Sequence, residues 1–276
     1  MIRCSLERYA SLSGRSGLHE ERDTVFEMRI RKKTPKPSAK RPPLYFIGYR
    51  GTAPSTDELV MQYEREYSGP LSIRHEAGSP ESWQATHGPW SAHVVMPLPA
   101  SHVAEIMKQL AWEHPLMGAI APSVAPPRDM PDAVLLGARL ARCLTLLTQG
   151  TAYDVTTQAY LNPSDWQNRT LTTFLMDDHL SVAQDETARP DQVWFYSLGL
   201  AKFGLDEIEL FQGKGLPESA AKEILNAAAH ELLRMGQSPK VGTSIHLPAL
   251  DKTLRIVNYR TAAPAGRMMG FRQLQS

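Results

Sequence analysis

Cysteine is almost absent from this chain: two in 276 residues, Cys4 and Cys143. Two thiols so far apart make no disulfide framework. No run approaches the roughly 18 uncharged apolar residues needed to cross a bilayer, and the arginine-bearing N-terminus has no apolar signal core. A cytoplasmic protein without a transmembrane segment is the expectation. Also missing are a glycine-rich phosphate loop, tight pairs of zinc ligands and the Gly-x-Ser-x-Gly elbow of serine hydrolases, so none of those chemistries has its sequence signature.

Net charge is small, a formal +1 from 30 Lys and Arg against 29 Asp and Glu, but it is unevenly placed. Residues 1–43 hold 11 Lys and Arg against 5 Asp and Glu, and the rest hold 19 against 24. The body is mildly acidic and residues 1–43 read as a disordered basic leader. Within it, the cations of residues 29–41 could touch nucleic acid or anionic lipid through counterion release, yet no aromatic residues interleave as base stacking would require. Hydrophobic residues at 42% and charged residues at 21% place the chain among ordinary globular proteins.

The pattern predicts strands near 44–49, 71–75, 91–98, 193–198, 207–211, 241–247 and 253–259. It predicts helices from the caps Ser55 or Thr56, from Ser101, over 132–148, over 162–176 and over 217–235. The helix at 132–148 is apolar around most of its circumference and should be central. Residues 76–90 read as a polar loop, and the proline-rich stretch 117–131 reads as a connector. Together these give an α+β fold of mainly antiparallel sheets with helices on one face. Two similar-sized blocks, 44–130 and 131–261, would pack as one body, and 262–276 would fray.

The run from Ser197 to Glu209, S-L-G-L-A-K-F-G-L-D-E-I-E, is followed by the helix from Pro217 to Met235 and the turn Val241-Gly242-Thr243-Ser244-Ile245. In this order it resembles an uncharacterised bacterial family known as domain of unknown function 4261. Asp206 stands where that family usually has proline, and Val241 where it often has a polar turn residue. The resemblance extends back through Tyr160 to Trp166 and into 44–97. It implies a shared fold and no activity; an immunity or partner-binding role is associated with such proteins.

Candidate functional residues follow from residue chemistry. Trp83 and Trp90 sit in a stretch rich in Gly, Ser and Pro, and large rings with a polar tip are favoured interface anchors. The preferred reading is therefore a non-enzymatic protein-binding module, of immunity or regulatory type, with Gly78 to Trp90 as contact surface and no cofactor. The alternative is a metal-assisted hydrolase using His75, His87 and His93 with Glu76, although the six-residue step from His87 to His93 matches no common zinc spacing. Gly199, Gly204, Glu207, Gly242 and Thr243 are read as structural turn residues, with the Glu207 carboxylate accepting amides of 203–205. A second constellation, Lys202, Glu207 and Glu209 facing Asn226 and His230, would form if the helix over 217–235 crossed that strand polar side down.

Overall fold

Ser55 begins the first helix because its chemistry suits an N-terminus. Its hydroxyl accepts from the Glu58 amide at 3.2 Å, and the Glu58 carboxylate accepts from the Ser55 amide at 2.7 Å. This helix is α1 (Thr56–Glu66), followed by α2 (Ala100–Leu110), α3 (Met130–Thr148) and α4 (Glu218–Met235). The computed structural model describes residues 43–110, 112–123, 129–186, 191–213, 217–264 and 269–275. The predicted basic leader, apart from residue 43, lies outside the described residues, as does the stretch 29–41.

Thirteen strands among the described residues form two sheets. The first contains β1 (Tyr45–Tyr49), β2 (Ser72–Glu76), β3 (Ser79–His87), β4 (Trp90–Val95), β5 (Leu116–Pro122), β6 (Thr151–Asp154) and β7 (Ala159–Leu161). Its order is β2-β3-β4-β5-β1-β6-β7, antiparallel throughout. The second contains β8 (Ser181–Glu186), β9 (Gln192–Leu198), β10 (Glu207–Gly213), β11 (Ser244–Leu247), β12 (Lys252–Ala262) and β13 (Met269–Gln275). Its order is β11-β12-β13-β10-β9-β8, with β10 and β13 parallel. The fold is α+β.

Alternation along the strands decides which face each helix covers. Tyr45, Ile47, Ile120 and Val94 share the face that packs with α1 and α3, and α3 is central, buried along most of its length. Phe46, Met117 and Tyr153 point the other way and receive Val103, Ile106 and Leu110, so α2 lies on the opposite face. In the second sheet α4 buries Ala221, Leu225, Ala228, Ala229 and Leu232, and Gly236, at φ 64°, closes it with its amide on Leu232 O.

Four stretches differ from the pattern-based expectation. Residues 79–87 form β3, because Trp83 and Ala85 alternate inward with Ala92 and Val94 of the next strand. Residues 117–122 of the proline-rich connector belong to β5, with Pro122 at the strand's last position opposite Ala92. No α-helix forms over 162–176; the chain turns there to bury Trp166 and Leu171, the latter at φ 53°. The predicted frayed tail contains β13, which sits inside the second sheet between β12 and β10.

Candidate functional site

The outer face of β2, β3 and β4 is not covered by a described helix, and its alternating side chains are polar: Arg74, Gln84, Ser91 and His93. There a groove of about 470 Å3 opens, lined by Arg74, His75, Glu76, Ala77, Gln84 and His93. The register fixes its floor by placing Arg74 across from Gln84, and Gln84 across from His93. Arg74 Nη2 donates to Gln84 Oε1 at 2.8 Å, Gln84 Nε2 donates to Ser91 Oγ at 3.0 Å, and Ser91 Oγ meets Ser123 Oγ at 2.6 Å.

At the groove's inner end Ser82 Oγ donates to Glu76 Oε2 at 2.8 Å and lies 2.8 Å from His93 Nε2, which is also 3.0 Å from Glu76 Oε1. Serine, histidine and a carboxylate thus meet, but serine and acid converge on the same ring nitrogen. A catalytic relay needs the acid on Nδ1, where it orients the ring while Nε2 takes the serine proton. This trio crosslinks β2, β3 and β4 and is not arranged for nucleophilic catalysis.

The three candidate metal histidines are not brought together. His75 Nδ1 faces Pro80 O at 3.1 Å, His93 is held as above, and His87 packs its ring 5.5 Å from that of Tyr63. Among the described residues no group of three His, Cys, Asp or Glu is placed to hold a metal ion. Trp83 is only 5% exposed and belongs to the main core, and Trp90 is half-buried against it. The stretch Gly78 to Trp90 is therefore exposed through its polar face and not through its tryptophans. The periodicity missed this because Pro80 and Gly88 mask a two-residue alternation that begins only at Ser82.

The turn residues build a second, buried polar centre. Glu207 is 2% exposed and accepts from Ser197 Oγ at 2.7 Å and from the amides of Gly199, Leu200 and Ala201 at 2.9, 3.2 and 3.1 Å. The donors thus precede the expected 203–205 amides, because the 3₁₀ turn Leu200–Phe203 presents its free N-terminal N–H groups to the carboxylate. Burial still raises the Glu207 pKa above the ordinary value. Gly199 stands at φ 122°, and a Cβ there would meet His179 O at 2.3 Å. Gly204, at φ 75°, ends the same turn. Gly242, at φ 92°, donates to Ile256 O at 2.7 Å, and Thr243 O accepts from the Ile256 amide at 2.9 Å, so this pair turns the chain into β11.

Lys202, in that same 3₁₀ turn, is 1% exposed and donates to Asp154 Oδ2 at 2.5 Å and to His179 O at 3.0 Å. Asp154 Oδ1 accepts from Thr156 N, Thr156 Oγ and Thr157 N. Burial works to raise the Asp154 pKa, but Lys202 and the threonine donors outweigh it and hold the carboxyl below its ordinary value. Desolvation lowers the Lys202 pKa against the pull of Asp154. His179 is fully buried, stacks on Phe174, and burial pushes its pKa down to about 3.

Sequence reasoning missed Asp154 and His179 because neither lies in a motif; their partners arrive from other parts of the chain. The rim constellation does not form, since Asn226 and His230 are exposed on α4 while Glu209 is buried against Arg260. Burial raises the Cys143 thiol to about 12, which removes it as a nucleophile at neutral pH. No helix among the described residues is long and apolar enough to cross a membrane. No family model, curated protein or solved structure matches the chain.

Proposed function

We propose that this is a non-enzymatic binding module that takes a protein partner on the outer face of β2, β3 and β4, in the cytoplasm and in an immunity or regulatory role. The observation that carries the reading is the groove bordered by Arg74, Glu76, Gln84 and His93 on a sheet face that no described helix covers. A sheet face that no described helix covers, with a row of hydrogen-bonding side chains, offers polar contacts that a partner surface can match. The side chains that could do chemistry there are tied to each other in a geometry suited to crosslinking strands.

Replacing Arg74 and Gln84 together by alanine removes two exposed or half-exposed polar contacts and no core atoms. Partner capture should fall by an order of magnitude or more, with melting temperature and far-UV spectrum unchanged. Undiminished capture by that variant would contradict the placement.

A further inference from the structure

We infer that the edge of β2, which no described strand covers, pairs with the same edge of a second copy of this chain, antiparallel, with the dyad at His75. This goes beyond the partner-binding role, though it rests on the same end of the sheet. β2 ends the sheet order, and Ser72, Arg74, His75 and Glu76 are exposed. An end strand presents a row of backbone N–H and C=O groups that another strand can complete.

Natural edges are blunted by bulges that bend the strand away, and a register shift does occur here between His75 and Glu76. Its extra residues, Pro80 to Ser82, all fall on β3, because His75 pairs with Trp83 and Glu76 with Ser79. The outer strand keeps its residues in unbroken succession over Ser72–Glu76.

Charge selects the register. In an antiparallel pair related by a twofold axis each residue faces one at equal distance on the other side of the dyad. A dyad at Arg74 would set two guanidinium groups against each other, which is unfavourable. A dyad at His75 sets Arg74 of each copy opposite Glu76 of the other, giving two opposite-charge pairs. Arg74 and Glu76 are two positions apart on β2 and reach Gln84 and His93, themselves opposite each other on one face, so they share a face as directly opposed cross-strand partners must. The two grooves would then abut across the axis as one polar trough. Five residues a side bury far less than the ~1,200–2,000 Å2 of a stable interface, so the dimer is weak and concentration-dependent.

Sedimentation of the full chain tests this. The parent should move from monomer toward dimer between low-micromolar and near-millimolar concentration. The Arg74→Glu chain, with two acids on the edge, and the Glu76→Arg chain, with two bases, should each stay monomeric alone, and their mixture should form a one-to-one heterodimer. Melting curves verify that each is folded. As a second route that leaves Glu76 and its bonds to Ser82 and His93 intact, Ser72→Arg should leave association unchanged, because position 72 lies outside the charged pair. A parent that stays monomeric throughout, or Arg74→Glu and Glu76→Arg chains that each self-associate like the parent, would overturn the inference. Either result leaves the partner-binding proposal standing, since that is read by capture of a different protein.

Discussion

His179 shows how one buried side chain sets a pH response. Its folded pKa, near 3, lies below the ordinary value of about 6.5. The unfolded chain therefore binds the extra proton between those values, and stability is complete above about pH 6.5 and declines as pH falls toward 3. From this group alone the loss between pH 7.5 and pH 5 should be about 2 kcal/mol. Denaturant titrations at the two pH values check this, and His179→Phe, which keeps the stack on Phe174, should shrink the difference. Asp154 has the same sign further down: its contribution is present above the ordinary carboxylate range and is lost as pH falls through its lowered pKa. Two glycines in one turn make a contrast. Gly199→Ala forces a Cβ against His179 O at a positive φ and should cost more than about 3 kcal/mol. Gly204→Ala, at φ 75° with no atom within 4 Å of the new Cβ, should cost about 1–2 kcal/mol. Glu207→Ala leaves three amides and a hydroxyl without their acceptor and should cost roughly 1–3 kcal/mol, with Glu207→Gln near 1. Equal melting temperatures for Glu207→Ala and the parent would remove its structural role.

At the scale of elements, local signals wrote α1, α3, α4, β1, β9 and β10 into the sequence. Each has a period and a stop: the Ser55 cap, the apolar circumference of α3, the Gly236 end of α4. Residues 162–174 went the other way. Asn162-Pro163-Ser164-Asp165 has the residues of a helix start, and the Asn162 amide does donate to Asp165 Oδ2 at 2.7 Å. Tertiary contacts then take over: Arg139 donates to Leu171 O and Thr172 O, Arg142 to Trp166 O, and Trp166 is buried at 1% exposure. These carbonyls bond to arginines of α3 instead of to amides four residues on, which a sequence period cannot reveal. Arg139→Met should release two of those carbonyls. Hydrogen exchange over 166–174 should speed up while β9 and β10 keep their protection; unchanged exchange would show that Trp166 alone holds the segment. β13 was illegible for a related reason, since its pairing with β10 joins residues more than sixty positions apart.

Over the whole molecule, the buried pair Lys202–Asp154 ties the 3₁₀ turn of the second sheet to the end of β6 in the first. Removing one member strands a buried charge, and Lys202→Met should cost about 3–5 kcal/mol in denaturant unfolding. Nothing in the spacing of Asp154 and Lys202 forecasts this contact, although the buried turn around Glu207 was legible from its glycines. Of the expected contact stretch, the orientation was not legible: Trp83 and Trp90 face inward and the polar Gln84 faces the groove. Docking of the partner on this outer face can be read directly in cells. The most direct measurement places a photo-crosslinking residue at position 74, on the groove, or at position 222, on the exposed side of α4, and exposes cells to light. A specific adduct with one partner at position 74 and none at position 222 is the expected result. Adducts at 222 with none at 74 would contradict it.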